Sequence, residues 1–587
     1  MEKIDEKENG LKAYFLGPQS ANQFWVEKEI HSVFSHWFKW RKSLYPEDGS
    51  PITKNDQSSH WFKDSVEKLS SAVDELSGLY REETPKFTPR YIGHMVAEIT
   101  LPALFGHIVN LLHNPNLASQ EVSKIGGRLE KEAITAINSM IGFDTSKASG
   151  HFTSGGTIAN FEAIWRARYR LDHWISLSAF LSLEKKQKID VFTGAHLGWE
   201  KYEDILKSYN ISEGDHQKYS YVAQNPWQIS RAYEDAFGHA FDGPVILVPG
   251  NKHYSWQKGA SIFGFGEKSF WGVELDHQGK LCINDLRIKI EAAKLAKRPI
   301  LMVVSVSGTT ELGDIDPVEK VQDLLEEYKE KEGLHIWHHV DAAYGGFFLS
   351  LLGDKKREAI FKQEVLNSLR GLKRAESVTM DPHKLGYVPY ACGAIVLKDH
   401  YAARVSSFKA PYLLQSPNTN TWSSTFEGSR SASGAAATWM THKVIGLNPS
   451  GLGAIIHKGI LAKNQLRSQL ENIKDCYVVE PSDTNVLCFL FAKSGELYSE
   501  TNKRTLDIFE KVKNGTEFAI SKTHLGVSEY ALLIQRFGNK WDGVKNTEDL
   551  CLLRVVLMNP FVISENSNIN YLEEFVSYLE PLIDWNS

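Results

Sequence analysis

The residues with the clearest capacity for chemistry are a lysine, an acid and a histidine, each placed after a short apolar stretch. Lys384 lies between the apolar stretches 377–380 and 393–397, and Asp341 and His253 follow apolar stretches of their own. A lysine flanked by buried strands is partly desolvated, which favours the neutral amine that a Schiff-base lysine needs. A solvated loop lysine is the simpler interpretation of Lys384 taken alone, so its assignment depends on the other residues.

A glycine-rich turn is a second candidate feature. The turn Ser154-Gly-Gly-Thr157 precedes a helical pattern that continues through Arg170. The start of a helix exposes backbone N–H groups, its dipole favours an anion, and glycines let the anion approach closely. Such a turn can hold a phosphate, although serine and threonine beside glycine also form ordinary helix N-caps.

The elements that would position these residues are apolar strands that alternate with helices. The pattern predicts strands at 244–249, 299–306, 335–340, 377–380 and 393–397, and helices at 317–332 and 357–375. This alternation is typical of an α/β fold with a mostly parallel sheet, in which ligands bind at the carboxyl ends of the strands. The lysine, the acid, the histidine and Thr310 all follow predicted strand ends, so we expect them to meet at one edge of the sheet.

The N-terminal part of the chain predicts helices at 21–45, 102–112 and 120–141, with a polar loop at 46–59. In the first helix Phe34, Trp37 and Phe38 recur at spacings of three and four, which predicts an aromatic stripe buried against another subunit or domain.

After the large sheet, the segment 405–426 breaks the regular pattern and predicts an active-site loop. A long helix from Gly451 then leads to strands at 485–492 and 552–558. We therefore expect three parts, which are an N-terminal helical dimerisation segment (1–115), a cofactor-binding large domain (116–450) and a small α/β domain (451–587).

Composition narrows the function classes. The 587 residues are 42% hydrophobic and 24% charged, as in soluble globular proteins, and are too many for a single core. A net charge of −6 gives no reason to expect nucleic acid or an anionic membrane as partner. Five scattered cysteines without a CxxC pair predict neither a disulfide framework nor a metal site, and favour a reducing compartment. No signal peptide and no apolar run of ~18 residues is present, so we expect a cytoplasmic enzyme.

Taken together, these residues describe a pyridoxal phosphate site. Lys384 would form an imine with the aldehyde of the cofactor, and Asp341 would pair with the pyridine nitrogen and keep the ring an electron sink. The remaining assignments are His253 and Ala343 on the two faces of the ring, Thr310 on its substituents, and His383 with Ser154 and Gly155 on the phosphate.

Five motifs in this order resemble the group II pyridoxal-phosphate decarboxylases. They are Ser154-Gly-Gly-Thr157, His253, Gly308-Thr-Thr310, His339-Val-Asp-Ala-Ala-Tyr-Gly-Gly346 and Asp381-Pro-His-Lys384, and the resemblance covers roughly residues 85 to 450. The string from Ala375 to Tyr390 is most similar to bacterial tyrosine decarboxylases. The resemblance implies fold type I, a homodimer with shared active sites, and release of carbon dioxide from an L-amino acid.

The same resemblance implies further site residues. Tyr412 looks like the flexible-loop tyrosine that, from the partner subunit, helps protonate the product, and Tyr390 looks like a second pocket tyrosine. The substrate would lie near Tyr390 and the segment ending at His94, which could instead sit in a core. Asp381 stands where many relatives have asparagine, and a carboxylate is a poor phosphate ligand, so it is left out of the phosphate site.

Three alternatives remain open at this point. The substrate could be glutamate or another amino acid in place of an aromatic one. A sphingosine-phosphate lyase shares the fold and a similar lysine turn, but commonly carries a membrane anchor and would yield a fatty aldehyde in place of carbon dioxide. A scaffold that has lost its chemistry would show no imine absorbance.

Overall fold

Seven strands form a sheet in the middle of the chain in the computed structural model, which describes residues 9–119, 121–404, 424–563 and 568–583. The strands are Ser149–Thr153 (β1), Val245–Pro249 (β2), Phe270–Val273 (β3), Ile300–Val306 (β4), His338–Asp341 (β5), Ser377–Met380 (β6) and Gly393–Leu397 (β7). Their order across the sheet is β1-β7-β6-β5-β4-β2-β3.

The sheet is mostly parallel, as the sequence predicts. Strands β3, β2, β4, β5 and β6 run parallel, while β7 is antiparallel to both of its neighbours, β6 and β1. Every residue of β2, β4, β5 and β6 is buried, because helices cover both faces. The carboxyl ends of β4, β5 and β6 therefore open at one edge of the sheet.

Ahead of β2, ten α-helices lie in the described part of the chain. They are Gln23–Leu44 (α1), Lys54–Ser58 (α2), His60–Leu79 (α3), Leu101–His113 (α4), Lys124–Ile141 (α5), Gly156–Lys185 (α6), Val191–Gly194 (α7), Trp199–Ser208 (α8), Glu213–His216 (α9) and Pro226–Phe237 (α10). The 30-residue α6 is the central one. Its buried Ala159, Ala163 and Ala167 recur every four residues and let the helix lie close against the sheet.

Between β2 and residue 470, the residues that the structure describes form eight α-helices. They are Ser255–Ile262 (α11), Ile283–Leu295 (α12), Val318–Glu332 (α13), Lys355–Glu358 (α14), Gln363–Gly371 (α15), His400–Ala403 (α16), Ser433–Val444 (α17) and Leu452–Leu470 (α18). The single helix predicted at 357–375 is wrong. The chain there forms α14 and α15, separated at Phe361, whose side chain turns into the core.

The C-terminal part has a separate four-stranded sheet. Its strands are Cys476–Val478 (β8), Val486–Phe491 (β9), Ser521–Gly526 (β10) and Asp549–Val556 (β11), and its helices are Tyr498–Asn514 (α19), Ala531–Gly538 (α20) and Tyr571–Leu579 (α21). All neighbouring strands in it are antiparallel. A buried ion pair joins this part of the chain to the part that forms the seven-stranded sheet, with Lys280 Nζ 2.6 Å from Asp483 Oδ2.

The N-terminal helices expose much of their apolar surface. The ring of Phe38 packs on those of Phe34 and Trp37 but is half-exposed, and Trp25 contacts Phe105 of α4. Burial of the stripe against another subunit or domain stays a prediction. The predicted loop at 46–59 contains α2, because Thr53 forms a capping box with the third residue of the helix. Within the described ranges, every helix is too short or too polar to cross a bilayer.

Candidate active site

The carboxyl ends of β4, β5 and β6 surround a cavity of about 480 Å³. Nine of the residues singled out in the sequence line it, and they come from five separate stretches of the chain: Ser154, Gly155, His253, Thr310, Asp341, Ala343, His383, Lys384 and Tyr390. Their convergence at one edge of the sheet follows from the strand order, because each stretch ends a strand or precedes a helix at that edge.

Lys384 lies in the tight turn that follows β6. Its Nζ is 3.1 Å from Oδ2 of the buried Asp381, and 24% of its side chain is exposed. Burial by itself lowers the pKa of Lys384, as expected from the sequence, but the carboxylates of Asp381 and Asp341 outweigh burial and leave the pKa raised. The neutral amine expected from desolvation alone is therefore wrong for the protein without its cofactor, because two carboxylates stabilise the ammonium form.

Asp341 ends β5 and is held by neutral donors. Its Oδ2 accepts hydrogen bonds from Asn160 Nδ2 at 2.8 Å and Trp256 Nε1 at 3.1 Å, and its Oδ1 accepts one from the backbone N–H of Ala343 at 3.3 Å. Neutral donors stabilise the ionised carboxylate without cancelling its charge. The carboxylate is thus fixed in orientation and remains free to pair with a cationic group in the cavity.

Asn160 and Trp256 were not found by sequence reasoning. A buried hydrogen-bond network extends behind them, in which Thr379 Oγ1 donates to Asn160 Oδ1 at 2.8 Å, and His339 Nε2 lies 3.3 Å from the same oxygen. An asparagine on the apolar face of α6, four residues after Gly156, was the available signal, since a buried amide needs partners.

His253 lies beside the cavity between β2 and α11. Its Nδ1 is 2.9 Å from Ser255 Oγ, and burial lowers the pKa of its imidazole, with Asp341 acting in the opposite direction. A neutral, partly buried ring of this kind is suited to stacking on a planar ligand.

Close approach of backbone segments shapes the floor of the cavity. A Cβ added at Gly156 would lie 3.2 Å from the Cβ of Ala343 and 2.9 Å from Asp381 Oδ2, so only glycine fits there. Gly308, which precedes Thr310 in the sequence, adopts φ +86°, a conformation that favours glycine. These two glycines bring the start of α6 and the turn after β4 up to the site.

The start of α6 is the end of the cavity where an anion could bind. Ser154, Gly155, Gly156 and Thr157 line it, and the helix has no side-chain cap. The uncapped N–H groups and the helix dipole favour a phosphate. The backbone N–H of Ser154 already donates to Glu427 Oε2 at 3.1 Å, which leaves the other members of the turn for a ligand.

His383 reaches the cavity wall but its ring nitrogens have protein partners. Its Nδ1 accepts a hydrogen bond from the backbone N–H of Cys392 at 3.1 Å, so Nε2 carries the proton, and Nε2 lies 3.4 Å from Asp381 Oδ2. The ring stacks on Tyr390 with centroids 4.1 Å apart. These contacts make His383 a neighbour of the Lys384 ion pair, and its direct contact with a phosphate stays a prediction.

Two further predicted residues are not among the lining. His94 is exposed and does not line the cavity, whereas its neighbour Met95 does. Segment 91–95 is fixed by the C-terminal sheet, since Ile92 N donates to Ala519 O at 2.9 Å and Arg554 Nη1 to Gly93 O at 3.4 Å. Tyr412 lies outside the described residues.

Comparison with known proteins agrees with this geometry. The model of the pyridoxal-dependent decarboxylase conserved domain matches residues 231–492. The chain is 28% identical to an L-tyrosine decarboxylase of Enterococcus faecium over 98% of this chain and 99% of that protein. It is 25% identical to an aspartate 1-decarboxylase of Aliivibrio fischeri over 92% of this chain and 88% of that protein. The crystal structure of Oryza sativa TDC with PLP and tryptamine has the same fold, with a TM-score of 0.62 and 15% identity over 95% of this chain and 97% of that one.

The residues present fit pyridoxal phosphate. A lysine, a fixed carboxylate, a neutral imidazole and an uncapped helix start surround a cavity of suitable size, and Asp381 Oδ1 is a buried acceptor that has no partner among the described residues. The fold is that of the type I pyridoxal-phosphate enzymes. The chain therefore carries the pyridoxal-dependent decarboxylase conserved domain, is similar over nearly its full length to an L-tyrosine decarboxylase, and is a pyridoxal-phosphate-dependent carboxy-lyase that acts on an amino acid.

Proposed function

We propose that the chain converts L-tyrosine to tyramine and carbon dioxide. The observation that carries this proposal is the composition of the cavity beside Lys384, where Tyr390 and Met95 provide aromatic and thioether surface. Among the described lining residues Lys384 is the one lysine or arginine, and it is needed by the cofactor. The side-chain carboxylate of an acidic substrate would find no free cation there, which is costly in a partly buried site. Near full-length similarity to an L-tyrosine decarboxylase supports the same choice.

In this proposal each residue of the candidate active site has a defined role. Bound pyridoxal phosphate supplies an electron sink for the electrons of the bond between Cα and the carboxylate. Lys384 would hold the cofactor through Nζ. Asp341, oriented by Asn160 and Trp256, would hold a proton on the pyridine nitrogen, and a neutral His253 would cover one face of the ring.

The remaining contacts position the cofactor. Ala343, Thr310, Ser154 and Gly155 all line the cavity. Ala343 would lie under the second face of the ring, Thr310 would bond its substituents, and Ser154 with Gly155 would hold the phosphate. His383 orients Asp381 beside the lysine.

Two tyrosines are candidates for the donor that protonates Cα. Burial raises the pKa of Tyr390, while Lys384 acts in the opposite direction, and a raised pKa keeps the phenol protonated at neutral pH. Tyr412 is proposed from the family resemblance alone, as a contribution from the partner subunit.

We also propose a homodimer, with the dimerisation segment at 1–115, the large domain at 116–450 and the small domain at 451–587. Support comes from α3, where the exposed Trp61, Leu69, Val73 and Leu76 form an apolar face. A contiguous apolar face exposed on a helix usually marks an interface.

A second candidate substrate is an acidic amino acid, because the similarity to an aspartate 1-decarboxylase is also nearly full length. Assaying the holoenzyme with L-tyrosine, L-aspartate and L-glutamate, with both carbon dioxide and amine identified, decides between them. We expect tyramine as the main product. Turnover of aspartate or glutamate without turnover of tyrosine would contradict the proposal, and a fatty aldehyde without carbon dioxide from a phosphorylated sphingoid base would indicate the lyase alternative.

A further inference from the structure

A second cavity lies at the opposite edge of the large sheet, where β5 and β6 begin. Its volume is about 310 Å³. His335 and Trp337, which precede β5, line it together with Glu376, which precedes β6, and Lys398, which follows the antiparallel β7. The active-site residues follow the other ends of β5 and β6, so this cavity is separate from the active site.

Arg170 of α6 lines this cavity and has one buried hydrogen-bond donor without an acceptor among the described residues. Only 5% of the residue is exposed. Its Nε has no hydrogen-bond partner in the described part of the chain, and neither has the indole Nε1 of Trp174 beside it. The guanidinium carbon lies 4.6 Å from the ring centroid of Trp174 and 4.8 Å from that of Trp337. Cation–π contacts engage the two faces of the guanidinium and leave its N–H donors, which lie in the guanidinium plane, available for an acceptor.

The inner end of the cavity has two cations for one carboxylate. Glu376 attracts Arg170 through space, but one of its oxygens already accepts a hydrogen bond from the backbone N–H of His338 at 2.8 Å. Lys398 also acts on Glu376, and its ammonium donates to the backbone carbonyl of Arg374 at 3.2 Å. Burial raises the pKa of the Glu376 carboxyl, while Arg170 and Lys398 act in the opposite direction.

The other charged groups around the cavity do not supply the missing anion. Arg374 pairs with Glu326 and with Asp323 of α13, and Asp399 caps α16. Glu200 and Lys329 are exposed, so solvent screens them, and burial lowers the pKa of His335 to about 4, which keeps it neutral.

We propose that this cavity binds a small carboxylate with a flat apolar body, its carboxylate on Arg170 and its body against the tryptophan rings. A guanidinium binds a carboxylate through two parallel hydrogen bonds, and the carboxylate would balance the charge of the second cation. The rings of Trp199 and Tyr401, which stack with centroids 6.2 Å apart, contribute further aromatic surface to the cavity wall. The volume suits a ligand at the small end of the usual range for binding pockets.

Calorimetric titration of the holoenzyme with sodium benzoate, and with benzamide as its uncharged counterpart, tests this site. We expect benzoate to bind the wild type and benzamide to bind at least about tenfold more weakly, because only the carboxylate pairs with the guanidinium. Arg170→Met should remove this benzoate binding. Arg168→Met is the matched control on the same helix, since Arg168 stacks on Tyr221 outside the cavity, and it should bind benzoate like the wild type.

Benzoate that enters the active site would be bound equally by both variants, so the component lost in Arg170→Met alone reports on this cavity. If Arg170→Met does not fold, Arg170→Lys keeps the charge but loses the planar fork and should bind benzoate at least several-fold more weakly. Absence of benzoate binding in the wild type, equal binding of benzamide, or unchanged benzoate binding in the folded Arg170 variant overturns the proposal.

Discussion

Replacing Asp381 by asparagine should lower the pKa of Lys384 and shift cofactor uptake to lower pH. Oδ2 of Asp381 is 3.1 Å from Lys384 Nζ, and the two carboxylates near the lysine are what raise its pKa against the effect of burial. Unit charges at this separation interact by about 5 kcal/mol at an effective dielectric constant of about 20, while an opposite charge this close changes a pKa by about one to three in proteins. We adopt the smaller, measured range, which corresponds to about 1.4–4 kcal/mol.

The assay is the rate at which the apoenzyme recovers the visible absorbance of bound pyridoxal phosphate, followed as a function of pH. Only the neutral amine reacts with the aldehyde, so the midpoint of this profile follows the pKa of Lys384. In Asp381→Asn we expect the midpoint about one to three pH units below that of the wild type. Asp235→Asn, at an exposed position of α10, is the control and should leave the midpoint unchanged. A midpoint for Asp381→Asn at or above the wild-type value would refute the electrostatic reasoning.

Three further predictions concern the cofactor, the product and acid stability. Asn160→Leu should weaken pyridoxal phosphate binding at least about tenfold in a spectroscopic titration, because Asp341 loses a hydrogen bond at 2.8 Å; unchanged affinity would show that Asn160 does not orient it. Tyr412→Phe should slow tyramine formation or divert product towards an aldehyde, and unchanged rate and product would exclude Tyr412 as the proton donor. Burial lowers the pKa of His339 to about 3. Between this value and the ordinary value of about 6.5, the unfolded protein binds a proton at His339 that the folded protein does not. The contribution of His339 to stability is therefore fully present above about pH 6.5 and is lost as the pH falls towards 3. Urea unfolding should show that the free energy of unfolding falls by about 1 kcal/mol less in His339→Gln than in the wild type between pH 7.5 and pH 5.5. An equal fall in both proteins would contradict this prediction.

The strands that hold the site could be predicted from sequence because they are continuous apolar runs. Ser377–Met380 and Gly393–Leu397 lie where the pattern puts them. The polar strand Ser521–Gly526 could not be predicted from the sequence, because its residues show no clear apolar face. Its strand conformation depends on pairing with β11.

The sequence predicts only some of the residues that determine the chemistry of the site. Lys384 and Asp341 follow strand ends, and the rule that ligands gather there brings them together. The partners of Asp341 come from other elements, so neither Asn160 nor Trp256 could be assigned from spacing. The ionisation of Lys384 was predicted in the wrong direction because desolvation is visible in the pattern of a segment, whereas the net effect of neighbouring carboxylates depends on distances in the folded chain.

The lysine that carries the cofactor is the central claim, and identifying it tests the account most directly. The holoenzyme is reduced with borohydride, digested, and searched by mass spectrometry for the pyridoxyl-modified peptide. Lys252 is the informative competitor, because it directly precedes His253 and burial lowers its pKa. We predict modification at Lys384 in the wild type, and neither modification nor carbon dioxide release in Lys384→Ala. Modification at Lys252, or decarboxylation near the parent rate in Lys384→Ala, would contradict the account.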